Sequence, residues 1–284
     1  MHPAPRLGYD RREMRQGWWK SISLCAALFP GLGFASPEFP APRFSENSLE
    51  LQNSAITISY NRSHKQPDWV FYPLGPERLR ACVERSNSFR PDPRLAPADS
   101  AQLADYSNSG FDRGHMSPAG DNRWSQPAMK ESFFLSNISP QPPSFNSGIW
   151  ARLEGLVRAW ATGIDELWVT TGPLLTGSLR TIGDSRVSVP EYFYKVLATK
   201  SGQKHSAIAL LLPSSAHNEL STYAMSVDQL EAITGIDFLS GLEGEDETEA
   251  KLNIRQWDFH ATFQYLPCTA VKPGPMDWAW GLSR

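Results

Sequence analysis

Apolar residues in this chain come in short runs closed off by proline or glycine, and that fencing directs most of its regular structure into strands. SAITISYN (54–61), DWVFYPL (68–74), ELWVTTGP (166–173), EYFYKVLAT (191–199) and HSAIALLLP (205–213) are rich in β-branched and aromatic residues and have strand length. The first two are separated by a polar turn, a hairpin pattern. Two segments keep helical spacing instead. Residues 148–162 set Ile149, Leu153, Leu156, Val157 and Trp160 on one stripe, and residues 226–234 open with a Ser-x-x-Gln capping box at Ser226 and Gln229. Residues 85–106 carry too much proline and aspartate for a regular element and read as a long surface loop. Without an internal repeat or a domain linker, one mixed α/β domain over 44–270 is expected. A Pro-rich lead over 36–43 precedes it. An irregular tail over 271–284 follows, whose Trp278 and Trp280 are expected to patch the surface.

With 284 residues, 40% hydrophobic and 11% aromatic, the chain is large enough for a substantial core. Removing residues 1–35, with their five basic and two acidic side chains, takes the formal charge from −3 to −6. A wholly basic nucleic-acid glove is thereby excluded. A nucleic-acid cleft is not, because steering depends on the local field rather than on the total charge. The acids at 243–249 read as a solvated loop.

Arg6, Arg11, Arg12, Arg15 and Lys20 precede the apolar run SISLCAALFPGLGFA, which ends in small residues near Ala35. That pattern reads as a secretory signal peptide over 1–35, giving an exported protein, periplasmic or extracellular, with no stable membrane association. A mitochondrial presequence is disfavoured by Asp10, Glu13 and the compactness of the apolar block. Cys82 and Cys268 are then an even pair, either bonded or separately buried.

The chemistry is concentrated in residues 111–154, FDRGHMSPAGDNRWSQPAMKESFFLSNISPQPPSFNSGIWARLE, which hold Asp112, Arg113, His115, Asn137, Gln141, Asn146 and Glu154, with Arg158 just beyond. A neutral imidazole can take a proton from water near physiological pH, so His115 is the candidate general base. A lone histidine is more often structural; the DRGH setting ahead of Pro118 favours function here. Asn146 is the candidate metal ligand. Its neutral amide oxygen suits a hard cation such as Mg²⁺, which keeps most of its waters and most of its charge. Capping the following helix beside Ser147 is its alternative role. Glu154 follows Asn146 by about 80° of helical rotation and Arg158 lies four residues further, a spacing shared by a surface ion pair and by a working pair. As a working pair, Glu154 belongs to the water network of the cation and Arg158 orients it or touches phosphate. Arg113 suits charge stabilisation and Asp112 suits fixing the loop. Asn137 and Gln141 either hold the backbone in register or touch substrate. An all-carboxylate two-metal site is poorly supported.

Three ordered blocks, DRGH (112–115), SNISPQ (136–141) and FNSGIWARLE (145–154), resemble the DNA/RNA non-specific endonuclease family, which includes endonuclease G-like members and secreted sugar-nonspecific bacterial nucleases. YNRSHKQPDWVFYPL, SFRPDP around Asp92, TGPLL, VPEYFYKVL and VDQLEAITGIDF extend the similarity over most of the chain beyond residue 35. The resemblance implies an α+β His-Me finger (ββα-metal) fold, with a largely antiparallel central sheet flanked by helices, the base on a β-element and the ligand on the crossing helix. It implies His115 as base, Asn146 as ligand to Mg²⁺, with Mn²⁺ as a substitute, and Glu154 in the water network. The implied activity is cleavage of DNA and RNA to 5′-phosphate ends, and the implied partners are those nucleic acids, with room for a homodimer and an inhibitor protein. Met116 and Ser117 depart from the more usual small or apolar pair. The early phosphate-binding arginine of some members has two counterparts, Arg85 and Arg90. Two other readings fit the same residues: a catalytically silent binding protein on this fold, and a phosphodiesterase for small substrates.

Overall fold

Each strand-length run of the sequence forms a strand. The computed structural model describes residues 41–43, 48–164, 166–201, 204–242 and 244–268. Readings of residues 1–35, of most of the 36–43 lead and of the 271–284 tail lie outside them. The strands are β1 (Leu49–Gln52), β2 (Thr57–Asn61), β3 (Gln66–Leu74), β4 (Asp112–His115), β5 (Ile138–Gln141), β6 (Glu166–Pro173), β7 (Thr181–Ile182), β8 (Val187–Ser188), β9 (Tyr192–Ser201), β10 (Lys204–Pro213) and β11 (Ala224–Met225). One sheet runs in the order β1-β2-β3-β6-β9-β10-β11 with every neighbouring pair antiparallel, while β4 and β5 form a separate hairpin.

Side chains alternate across the large sheet with period two, and both faces are buried. Val70, Tyr72 and Leu74 of β3, Leu167 and Val169 of β6, and Phe193 and Leu197 of β9 share one core with helix α2 (Ala151–Thr162). Helix α1 (Gln126–Ser132) contributes Ala128 to the same core. The α2 stripe read from the sequence is the face that goes in: Leu153, Leu156, Val157 and Trp160 are buried, each contributing about 1.5–3 kcal/mol. Trp69 and Phe71 of β3, Trp168 of β6, and Tyr194, Val196 and Ala198 of β9 face the opposite way, onto Val227 and Leu230 of helix α3 (Val227–Thr234). Ser226 and Gln229 cap α3 reciprocally, and Gly235 ends it at φ 72°, where a left-handed residue is required.

Two expectations need correction. The acidic run forms a helix, α4 (Glu245–Ala250), in place of a solvated loop. Its Thr248 and Glu249 are buried, and Glu249 accepts a hydrogen bond from the Leu239 amide at 3.3 Å. Anchoring of that one side outweighs the mutual repulsion of the exposed acids. Residues 85–106 are largely exposed or half-buried, as a surface segment should be, but they are not without regular structure: a 3-10 turn at Pro97–Asp99 and a short helix at Leu103–Tyr106 lie within them. Asp92 is buried between Arg94 and the Ser136 hydroxyl, at 2.6 Å from the latter, which straps this segment to the turn that leads into β5.

Cys82 and Cys268 are bonded, 186 residues apart. Backbone bonds between Leu266 and both Leu79 and Ala81 flank the bridge, so it fixes the far end of the described chain beside the approach to β4. A cross-link closing so long a loop removes much unfolded-state entropy. Reduction, or Cys268→Ser, is expected to lower the unfolding free energy by about 2–5 kcal/mol. Urea unfolding with and without a reductant checks this, and coincident curves would refute it. No helix among the described residues is long and apolar enough to cross a membrane.

Candidate active site

The β4–β5 hairpin pairs Asp112 with Gln141, Arg113 with Pro140, Gly114 with Ser139 and His115 with Ile138. Gly114 is demanded by close approach: a β-carbon there would lie 2.2 Å from Gln141 Oε1. The Gln141 amide is buried over that glycine with neither polar atom hydrogen-bonded. Asn137 is spent on the backbone. Its Oδ1 accepts from the Ser117 amide at 2.9 Å, and its Nδ2 donates to the carbonyls of Ser117 and Ser132 at 2.9 and 2.8 Å. It therefore fixes the turn that leaves His115 and is not free to touch a substrate.

His115 is 7% exposed, wedged between Phe89 and Phe133 with ring centroids 5.3 and 4.7 Å away, and its Nε2 has no hydrogen-bond partner. Burial, then the Arg85 and Arg113 guanidiniums, push its pKa down to about 3, so the ring is neutral at physiological pH. The two cations ride on the same aromatics. Arg113 lies 4.3 Å from the Phe89 centroid and Arg85 lies 5.4 Å from that of Phe133. Arg90 goes elsewhere: its guanidinium stacks on Phe134 at 4.4 Å and donates to the Ser88 carbonyl.

The crossing segment begins with a helical turn, Pro143–Phe145, and a wide turn, Asn146–Trp150, broken at Gly148 (φ −101°, ψ −109°), before α2 proper. Asn146 is thus already in helical conformation and is not the N-cap of the helix that follows, which removes its alternative role. Its Nδ2 donates to Asp112 Oδ2 at 2.9 Å instead. Hairpin and crossing segment meet at that bond, and Oδ1 is left as the amide atom on offer.

Glu154 and Arg158 do not form the surface ion pair their spacing permits. Arg158 Nη1 is 2.8 Å from Asp121 Oδ1, with the Asp121 side chain 1% exposed, and the Tyr72 hydroxyl donates to the other carboxylate oxygen at 2.8 Å. Glu154 is partly buried beside them. Burial raises its pKa, Lys195 and Arg158 oppose that rise, Asp121 adds to it, and Arg85 opposes it. Arg85 therefore acts electrostatically on both His115 and Glu154, which ties the hairpin end of the site to its helix end.

Asp121, Tyr72, Lys195 and the aromatic pair were not singled out from the sequence. For Lys195 a signal existed, a lone charge inside the apolar run EYFYKVLAT. Asp121 sits in the AGDNR turn, where nothing local distinguishes a buried partner from an ordinary turn aspartate.

Residues 35–245 match the model of the DNA/RNA non-specific endonuclease family. The chain is 36% identical over 203 residues to the mitochondrial nuclease EXOG of Danio rerio, covering 66% of this chain and 59% of that protein. It is 33% identical to the mitochondrial endonuclease G of Homo sapiens, over 66% of this chain and 68% of that one. Against the mouse and human EXOG proteins the match spans 60 and 55% of their length. Among solved structures, a complex of EndoG with EndoGI superposes with a TM-score of 0.65 at 31% identity, covering 68% of this chain and 86% of that one. These relatives overturn one expectation. The animal proteins are named as mitochondrial, so the secretory reading of residues 1–35 and the periplasmic or extracellular location are withdrawn. A basic stretch followed by an apolar one is common ground for several kinds of leader, and composition alone did not discriminate between them.

Proposed function

The chain belongs to the DNA/RNA non-specific endonuclease family, and from that premise we propose that it hydrolyses phosphodiester bonds of DNA and RNA, leaving 5′-phosphate ends. The observation that carries the reading is a neutral, buried imidazole with an unpartnered nitrogen, on the strand whose Asp112 grips Asn146. His115 serves as the base that takes the proton of the attacking water. Arg85 and Arg113 receive the phosphate. Because their charges help depress His115, a phosphodiester seated beside them offsets that effect and makes the imidazole a better base when substrate is bound. Arg85, not Arg90, fills the early arginine position in this reading, since Arg90 is stacked on Phe134.

The donor set fits one hard divalent cation. Asn146 Oδ1 is a neutral oxygen ligand whose amide is oriented from behind by Asp112, and Glu154, eight residues further along the crossing segment, supplies a carboxylate in this reading. Mg²⁺, or Mn²⁺ in its place, would be held there and would supply positive charge to a phosphate oxygen. Asp112 acts by fixing the Asn146 amide, and Glu154 acts as an acceptor for water at the site. Recognition of backbone and shape needs no base-reading set, and in this reading the arginines of the site meet phosphate. A protein inhibitor is a further partner in this reading, supported by the inhibited complex to which the chain is similar. A homodimer also belongs to it.

Purified protein incubated with plasmid DNA and with RNA is expected to degrade both, with EDTA abolishing the reaction and the products accepted by ligase without prior phosphorylation. Binding without cleavage would establish a silent binding protein. Turnover of small esters alone would establish a phosphodiesterase.

A further inference from the structure

We propose that the cleft at the foot of the β7–β8 hairpin is a nucleotide subsite, which takes a nucleotide of the substrate strand a few steps from the scissile phosphate; this rests on the nuclease reading above. The cleft, of about 440 Å³, lies where β9 begins and β10 ends, with Tyr192 in register opposite Pro213. Arg180, Val189, Glu191, Tyr192, Ser214 and Ser215 are among the residues that line it. Arg180 is exposed, yet its backbone is fixed. Its carbonyl accepts from the Val189 amide at 2.8 Å, closing the hairpin, and the Ser188 carbonyl of that hairpin accepts from Gln66 Nε2 at 2.7 Å. The Arg180 guanidinium lies 4.8 Å from the Phe111 ring, and no carboxylate among the described residues pairs with it.

Two observations tie this cleft to the catalytic hairpin. Phe111, which carries the Arg180 guanidinium, immediately precedes Asp112, the residue that holds Asn146. Val189 belongs to the same apolar cluster as Ile138, which pairs with His115 across the hairpin, and Phe89 and Phe111 pack on that cluster. At a strand rise of about 3.3 Å per residue, Phe111 lies roughly 13 Å along the chain from His115, a reach of a few base steps. The lining then selects the ligand by its chemistry. A guanidinium stacked on a ring and unpaired with carboxylates meets phosphate. Tyr192, 39% exposed, offers a ring face on which a base can stack. Glu191 repels phosphate, which leaves the phosphate at Arg180, and its carboxylate can accept from the exocyclic amino group of a base. An acidic peptide would meet like charge at Glu191, and a wholly apolar ligand would leave both charges without a partner.

The test is binding of a single-stranded oligonucleotide to the full chain in EDTA, where nothing is cut, over a series of salt concentrations. Arg180→Gln should make the slope of log affinity against log salt shallower by about 0.7, the contribution of one phosphate contact on a single strand, while Arg180→Lys keeps the parent slope. Tyr192→Ala should weaken binding by about fivefold or more with the slope unchanged. The parent should hold oligo(dC) more tightly than oligo(dT), and Glu191→Gln should narrow that gap. An unchanged slope in Arg180→Gln, unchanged affinity in Tyr192→Ala, or equal parent affinities for the two homopolymers overturns the proposal. With Mg²⁺ present, KM for oligonucleotide cleavage should rise in Arg180→Gln and Tyr192→Ala by more than kcat falls. Were Arg180 merely packed on Phe111, its replacement would lower the melting temperature and leave the salt slope where it was. Binding needs no turnover, so a chain that shows these slopes yet cuts nothing refutes the nuclease reading while the binding series still decides this one.

Discussion

His115→Ala is expected to lose plasmid cleavage by about 10²–10⁴-fold, the range general-base catalysis supplies. The protein should remain folded, because the ring meets Phe89 and Phe133 by aromatic contacts worth about 0.5–1.5 kcal/mol each and its Nε2 holds no hydrogen bond. His115→Asn, which fills more of the volume but offers no basic nitrogen, should be nearly as inactive, separating loss of the base from loss of packing. The pH profile sharpens the assignment. With a pKa near 3 in the free protein, His115 is unprotonated throughout the neutral range and cannot produce an acid limb in kcat/KM near pH 7. Such a limb belongs to Glu154, which burial raises, and activity should therefore rise with pH as that carboxyl ionises. Cleavage by either His115 variant at the parent rate, with unchanged melting, would remove the histidine from the mechanism.

Local signals in the sequence were strong where one residue type does one job. TGP closes β6 at Pro173, and Ser226 with Gln229 opens α3 at the expected residue, because turn and cap chemistry is decided within four positions. The apolar stripe of α2 was legible for the same reason. What escaped is what depends on distant partners. Arg158 finds Asp121, 37 residues back, and Asp121 finds Tyr72, 49 residues further still, so the Glu154–Arg158 spacing suggested a surface pair that the core reassigns. Asn146 sat near a helix start and resembled a cap until Asp112, 34 residues earlier, claimed its amide. The acidic run was misjudged because its charges favour solvent in isolation, whereas burial of Glu249 against Leu239 is a tertiary effect. The leader was misjudged because its composition suits more than one destination. The catalytic reading itself came from three motif blocks in order, and the structure adds that the first and last of them touch, through Asp112 and Asn146.

Arg158→Met is expected to destabilise the fold by about 3–5 kcal/mol, the cost of breaking a buried ion pair from one side. The Asp121 carboxylate, with 1% of its side chain exposed, would keep the Tyr72 hydroxyl but lose the guanidinium at 2.8 Å. Arg158 also carries packing: its guanidinium lies 5.6 Å from the Phe263 ring, and Tyr265 from the same C-terminal segment donates to the Gly120 carbonyl beside Asp121. Asp121→Asn should cost less, since an amide still accepts from the arginine and the charge left behind is the one on the more exposed side chain, 13% against 1%. The order of the two variants therefore distinguishes a desolvated pair from a cosmetic one. Urea unfolding monitored by the core tryptophans measures it, and an Arg158→Met midpoint equal to the parent's would show that the pair contributes nothing. The same substitution should also weaken activity in the protein that remains folded, because Arg158 is among the charges that oppose protonation of Glu154. Stability and turnover would thus fall together for one electrostatic reason, with part of the lost turnover recoverable at alkaline pH and none of the lost stability recoverable there.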